Sequence, residues 1–213
     1  VWSETVLPLA AHGVVFMSMG LLVKREDAVV WRGPMIARAV TQFCQDVRWG
    51  ELDYLIVDLP PGTGDVALSL AQTIPVSGTI VVATPQDVAF ADVTRALRMF
   101  EMLRLDVLGL VENMSYFICP SCDVKHAVFG KGRTEQHCAE RGIPLLASLP
   151  LDENVSPHAD AGKPIVVAEP GSEQARIYTE LAATVIVRQD EVTAAKEAPA
   201  DKHAAFFNVR PGN

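Results

Sequence analysis

The sequence predicts an α/β fold, a mostly parallel, doubly wound sheet with helices on both faces. Three observations predict it. Short apolar runs at residues 54–57, 79–84, 107–111 and 145–149 alternate with longer segments of helical spacing. These runs are apolar at consecutive positions, the pattern of strands covered on two sides. Residues 52–70, LDYLIVDLPPGTGDVALSL, take an apolar run to Asp58, then a Pro-Pro-Gly-Thr-Gly-Asp turn, then a helical pattern. A ligand-handling loop at a strand end has that form.

Each element follows from its local pattern. Residues 14–18 are apolar and end at Met19-Gly20, which predicts a strand. Residues 34–47 place Ile36, Val40, Phe43 and Val47 at helical spacing, and Gly33-Pro34 suits a helix start. A buried strand is predicted at 54–57 and a short helix at 66–74. The run TIVVAT predicts a second buried strand over 79–84. Val93, Leu97, Phe100 and Leu103 form one stripe of a helix over 88–103. A strand at 107–111 leads into Asn113. A helix over 131–141 is expected to end at Gly142. A strand at 145–149 is closed by Pro150, and a last helix covers 173–187. Residues 1–189 are therefore expected to form one domain. Residues 190–213 open with DEVTAAKEAPADKHAA, too poor in large apolar groups to pack, and are expected to be a tail.

The 213 residues are 49% apolar, enough to cover both faces of a sheet, and carry a net charge of −8. That charge argues against nucleic acid as the main partner. No apolar run is long enough for a membrane span, and no basic-then-apolar signal opens the chain. A cytoplasmic protein is expected. The chain begins at Val1 inside a structured pattern, which suggests an N-terminal truncation.

Asp58 is the candidate catalytic residue. A carboxylate at a strand end can hold magnesium through water, as phosphate sites require. Gly62 and Gly64 let backbone amides approach a phosphate. Thr63 offers a hydroxyl, and Asp65 is placed to cap the next helix. The competing reading is a rigid strand-to-helix turn. No Gly-x-x-x-x-Gly-Lys-Ser/Thr occurs in the chain, and Gly130-Lys131-Gly132-Arg133-Thr134 lacks the spacing. The phosphate loop is expected before Val1, so this chain by itself should bind nucleotide weakly or not at all.

Of the four cysteines, only Cys119 and Cys122 are spaced for shared chemistry. A C-x-x-C turn aims two thiolates at one ion, half of a tetrahedral sulfur site that suits zinc or an iron–sulfur cluster. A second copy of the chain would complete it. Cys44 and Cys138 fit helix positions as small hydrophobes. His126 is more naturally a loop histidine than a ligand.

These residues resemble the Mrp/ApbC-type ATP-binding iron–sulfur cluster carriers, deviant-P-loop NTPases akin to MinD and the nitrogenase iron protein. The matching pieces are Ser18-Met19-Gly20, VWRGPM at 30–35, WGELDY at 49–54, DLPPGTGD at 58–65 and Thr84-Pro85-Gln86. Glu112-Asn113-Met114-Ser115, the C-x-x-C and Leu149-Pro150-Leu151-Asp152 complete the set. The likeness covers about residues 14–187, and the C-x-x-C separates it from MinD-like partitioning proteins.

The resemblance implies a P-loop NTPase fold without its first strand, P-loop and first helix. It implies a homodimer holding a [4Fe–4S] cluster between two C-x-x-C pairs, ligated by Cys119 and Cys122. Delivery to apo iron–sulfur proteins, with scaffold proteins as partners, would be coupled to hydrolysis of ATP with magnesium. Asp58 would sit in a switch loop, with Gly62, Thr63 and Gly64 at the phosphate and Asn113 and Pro150 near the adenine. Two alternatives stand beside it: a zinc-stapled dimeric scaffold without ATPase activity, and a MinD/ParA-like positioning ATPase. The second wants an amphipathic membrane-binding end, which residues 190–213 are too acidic to supply.

Overall fold

The computed structural model describes residues 6–22, 33–60, 64–130 and 132–197. Its centre is a parallel sheet in the order β3 (Thr79–Ala83), β4 (Val107–Glu112) and β7 (Leu145–Ser148). Parallel neighbours need crossovers, and helices supply them. α3 (Asp87–Met102) joins β3 to β4, and α4 (Thr134–Arg141) precedes β7. Both helices pack on the sheet, where Val81, Ala83, Phe90, Val93, Phe100, Leu110 and Cys138 form one buried cluster. Cys138 is thus the buried apolar residue its helical position predicted.

β4 is the most deeply buried strand, with every residue from Leu108 to Glu112 buried. Gly109 is required there. A Cβ at that position would lie 2.6 Å from Leu146 Cγ and 2.7 Å from the Pro144 carbonyl oxygen. The Pro144 backbone leading into β7, which already accepts the Leu110 N–H, cannot yield to such a contact. α4 ends as the sequence predicts: Gly142 is left-handed (φ 66°), and Gly142 and Ile143 donate back to Ala139 and Cys138 carbonyls. The helix begins at Thr134, three residues past the expected start.

Away from the sheet, α1 (Gly33–Asp46) packs against α2 (Gly64–Thr73). β1 (Leu9–Ala11) and β2 (Val14–Phe16) form a hairpin that turns through His12 (φ 52°) and Gly13 (φ 80°). Two positive φ values match the twist a two-residue hairpin needs. β1 was not expected, because a Leu-Ala-Ala run carries too little strand signal. α5 (Val155–Asp160) and α6 (Ile165–Ala168) are short helices that precede α7 (Glu173–Glu197).

Three expectations are corrected. Residues 54–57 form no strand: they are irregular, and Ile56 is 91% exposed. A strand needs a neighbour for its backbone groups, and none among the described residues pairs with this segment. Among the described residues β3 lies at the sheet edge, and it exposes Ile80 and Val82, so only one of its faces is covered. The third concerns the tail expected from residue 190. α7 continues without a break to Glu197. The Ala, Glu and Lys content that argued against packing also favours helix. Arg188 pairs with Glu191 at 2.7 Å, and Lys196 pairs with Asp106.

These ion pairs are partly exposed, each worth about 0–1 kcal/mol. Deleting residues 190–213 is therefore expected to preserve a cooperative thermal transition, lowered by at most a few degrees. Loss of the transition in a melting experiment would instead make the end of α7 part of the core.

Candidate functional site

Two of the candidate residues, Asn113 and Pro150, lie at the carboxyl ends of the strands. Asn113 follows β4 and donates its N–H to the Ala83 carbonyl at the end of β3 (2.7 Å). On the other side, Leu149 N–H donates to the Glu112 carbonyl (2.8 Å), and Pro150 follows at once. Asn113 and Pro150, which the resemblance places together, thus share one edge of the sheet. Asp58 is exposed at the end of the irregular segment and takes no hydrogen bond or ion pair among the described residues. Gly62 and Thr63 lie outside the described residues. Gly64 opens α2 beside Met99 of α3, with room for a Cβ at 3.7 Å from the Met99 sulfur. Asp65 sits inside the first turn of α2. Its carboxylate there meets the positive end of the helix dipole, rather than standing in front of the helix as the cap that was expected.

The C-x-x-C stands at the tip of a hairpin that the sequence did not predict. β5 (Phe117–Ile118) pairs antiparallel with β6 (Lys125–His126), Phe117 opposite His126 and Ile118 opposite Lys125. Cys119 N–H donates to Val124 O (3.0 Å), and Asp123 N–H returns to Cys119 O (2.9 Å). Asp123 takes a left-handed φ of 56° to close the turn. Two-residue strands are weak signals in any sequence, and the cysteines themselves break the apolar pattern. Lys125 lies 4.4 Å over the Tyr116 ring and stiffens the base of the hairpin.

Cys119 is half-buried, and Cys122 is exposed. The Ser121 amide, then the Cys122 thiol, then the Cys122 amide donate toward the Cys119 sulfur and hold its thiol below the ordinary cysteine value. Amides aimed at sulfur stabilise the thiolate, which is the form that ligates metal. Burial pushes Cys44 up, and burial with the nearby Glu112 charge pushes Cys138 up. Cys119 is therefore chemically distinct from Cys44 and Cys138. Among the described residues, no group of three or more His, Cys, Asp or Glu side chains converges. His126 adds no ligand to the pair, and two thiolates leave half of a tetrahedral site to be filled. The donor set fits a soft metal shared with another molecule.

One expected result follows from these directions. Alkylation of the metal-free protein by iodoacetamide should label Cys119 before Cys44 or Cys138. Its labelling should extend to lower pH than that of Cys44 or Cys138, because the thiolate reacts. Peptide mass spectrometry across pH 6–9 reads this, and equal labelling of all three would contradict the amide network.

The hairpin is bonded to the sheet edge. Leu151 N–H donates to Tyr116 O (2.7 Å), and Phe117 bridges Leu151. A cleft of about 170 Å³ runs between them, lined by Phe117, Ile118 and Pro120 on one side and Pro150, Leu151 and Asp152 on the other. A second, more open cleft of about 420 Å³ lies between Gln86 and Gly132, spanned by the Arg133–Asp87 ion pair at 2.9 Å. Sequence reasoning missed the Glu112–Ser115 hydrogen bond at the root of the hairpin. The Glu-Asn-Met-Ser run is plain in the chain, but spacing does not reveal a side-chain bond across a turn.

Known proteins resemble this chain over most of its length. Residues 2–186 match the model of the NUBPL iron-transfer P-loop NTPases, a ParA-type family. An iron-sulfur cluster carrier protein of Deinococcus radiodurans is 50% identical over 178 residues, 84% of this chain and 50% of that protein. An Arabidopsis thaliana iron-sulfur protein required for NADH dehydrogenase, mitochondrial, is 44% identical over 180 residues, 84% of this chain and 58% of its own length. This chain thus spans about half the length of the curated relatives it matches.

Among solved structures, the nucleotide-binding protein of Archaeoglobus fulgidus in complex with ADP superposes with a TM-score of 0.64. It is 34% identical, over 82% of this chain and 67% of its own. The cell-division ATPase MinD of Pyrococcus furiosus, 20% identical with a TM-score of 0.53 over 71% and 58% of the two chains, shares the fold. The sheet is thus that of the MinD-like P-loop NTPases, and no helix among the described residues is long and apolar enough to cross a membrane. With the family model matched over most of its length, this chain belongs to the NUBPL iron-transfer P-loop NTPases.

Proposed function

We propose that the chain is the cluster-holding part of an iron–sulfur cluster carrier. The observation that carries this reading is the C-x-x-C at the exposed tip of a hairpin bonded to the carboxyl edge of a nucleotide-type sheet. The names of the carrier relatives support it. The cargo is a [4Fe–4S] cluster, held by Cys119 and Cys122 from each of two copies in a homodimer. The recipients are apo iron–sulfur proteins, with scaffold proteins as donors, and the setting is the cytosol.

ATP with magnesium is the second ligand. Gly62, Thr63 and Gly64 bind near its phosphates, and Asn113 and Pro150 line the base. The ADP in the Archaeoglobus fulgidus relative supports this part. Asp58 is the catalytic-loop carboxylate, and magnesium bound there would supply charge neutralisation at the phosphate. Replacing Asp58 by alanine in the full-length protein is expected to lower ATP turnover about 100-fold or more. Unchanged turnover would remove Asp58 from the site.

The test of the reading is iron, sulfide and zinc per chain after anaerobic reconstitution, with the oligomer mass from the same sample. About four irons and four sulfides per dimer support it. Zinc alone in a dimer favours the scaffold alternative, which the two-thiolate half-site accommodates equally well.

A further inference from the structure

We propose that Glu112 and Ser115 are positioning residues that lock the hairpin carrying Cys119 and Cys122 to the nucleotide edge of the sheet, so that movement at that edge moves the cluster ligands. The inference rests on the carrier reading above and adds the route by which nucleotide acts on the cluster site.

Glu112 is the last residue of β4 and is only 7% exposed. A carboxylate so buried needs a partner. It accepts the hydroxyl hydrogen of Ser115. The same two residues grip the chain just past β7 through their backbones: Leu149 N–H donates to Glu112 O, and Ser115 N–H donates to Leu149 O, both at 2.8 Å. Asn113 and Met114 are forced out between them. Met114 takes a φ of 53°, unusual for a residue with a side chain, and its N–H is held by Asn113 Oδ1 at 2.9 Å. The Glu112–Ser115 bond closes this bulge from the side.

No slack separates the bulge from the cysteines. Tyr116 O accepts Leu151 N–H, Phe117 bridges Leu151, and the next pairs are the hairpin itself. On the other side, Asn113 N–H is fixed to Ala83 O at the end of β3. A shift of Asn113 or of the Pro150 turn therefore has two ways to relax. It can break backbone bonds, or it can swing the hairpin as a unit about the bulge. A hydrogen bond to a carboxylate is stronger than one between neutral groups, so the closed bulge favours the second. Coupling of this kind is a differential stability between two arrangements.

Glu112 can also be read as a buried carboxylate that merely satisfies its neighbour. The two roles separate in one experiment on the full-length, cluster-loaded protein. The rate at which a ferrous chelator removes iron is measured with and without ATP. In the native protein ATP is expected to change the rate by at least about fivefold. Ser115→Ala should abolish that response while nucleotide affinity stays within about twofold, and Ser115→Thr, which keeps the hydroxyl, should restore it.

Glu112→Gln keeps an acceptor without the charge and should weaken the response. It carries the test if the alanine variant fails to fold. A response unchanged in Ser115→Ala, or in Glu112→Gln where that variant stands in, overturns the proposal. So does a native protein that holds iron without responding to ATP. A native protein that holds no iron at Cys119 and Cys122 overturns the carrier reading itself, and the two failures are distinct.

Discussion

Cys119→Ala is expected to leave a folded protein that retains essentially no iron or sulfide, and Cys122→Ala the same. The hairpin does not need the thiols to form. Its pairs run through backbone at Phe117, Ile118, Lys125 and His126, and the Cys119 N–H bond to Val124 survives the change. What is lost is one of only two sulfur donors at the site. A bridging cluster held by two copies would lose two of its four thiolates. The remaining pair is adjacent to no further group of ligands among the described residues. Iron and sulfide analysis after reconstitution, with far-ultraviolet circular dichroism as the control for folding, makes the measurement. Full occupancy in either variant would place the metal elsewhere in the molecule.

The second large effect belongs to the core. Leu110 is fully buried at the centre of β4, surrounded by the side chains that α3 and α4 lay on the sheet. Leu110→Ala removes buried methyl groups and leaves a cavity that the flanking strands cannot close, because β4 is hydrogen-bonded on both sides. The expected loss is about 3 kcal/mol, equal to a fall in melting temperature of roughly 6–12 °C for a chain of this size. Denaturant titration decides it. A loss below about 1 kcal/mol would mean that the site collapses around the smaller side chain, contrary to the close packing expected of a three-stranded centre.

Much of the architecture is readable in the chain. The runs TIVVA, VLGLVE and LLAS name their own strands, because consecutive apolar residues are the signature of a parallel sheet. The helical stripe of Val93, Leu97 and Phe100, and the glycine that ends α4, are equally local. The apolar run at 54–57 misleads for a physical reason. Its residues suit a strand, but a strand is defined by its neighbour, and exposed Ile56 and Leu55 have none among the described residues. The expected tail misleads in the opposite sense. Residues 190–197 have little to bury, yet helix propagation from α7 needs no core of its own, and ion pairs with Glu191 and Asp106 suffice at the margin.

The same division runs through the site. The parts are legible along the chain: two cysteines with two residues between them, a carboxylate before a Pro- and Gly-rich turn, and the Asn113 and Pro150 punctuation after two strands. Those depend on residue type and short spacing, which the chain states directly. Their relations come from the folded sheet. Leu149 brought the ends of β4 and β7 into register, and Leu151 took hold of the hairpin at Tyr116. Glu112 reached Ser115 across a bulge. The Leu149 and Leu151 bonds need two segments at a fixed separation in space, and sheet registry sets that separation; the Glu112–Ser115 bond spans three residues and depends on the bulge which that registry holds.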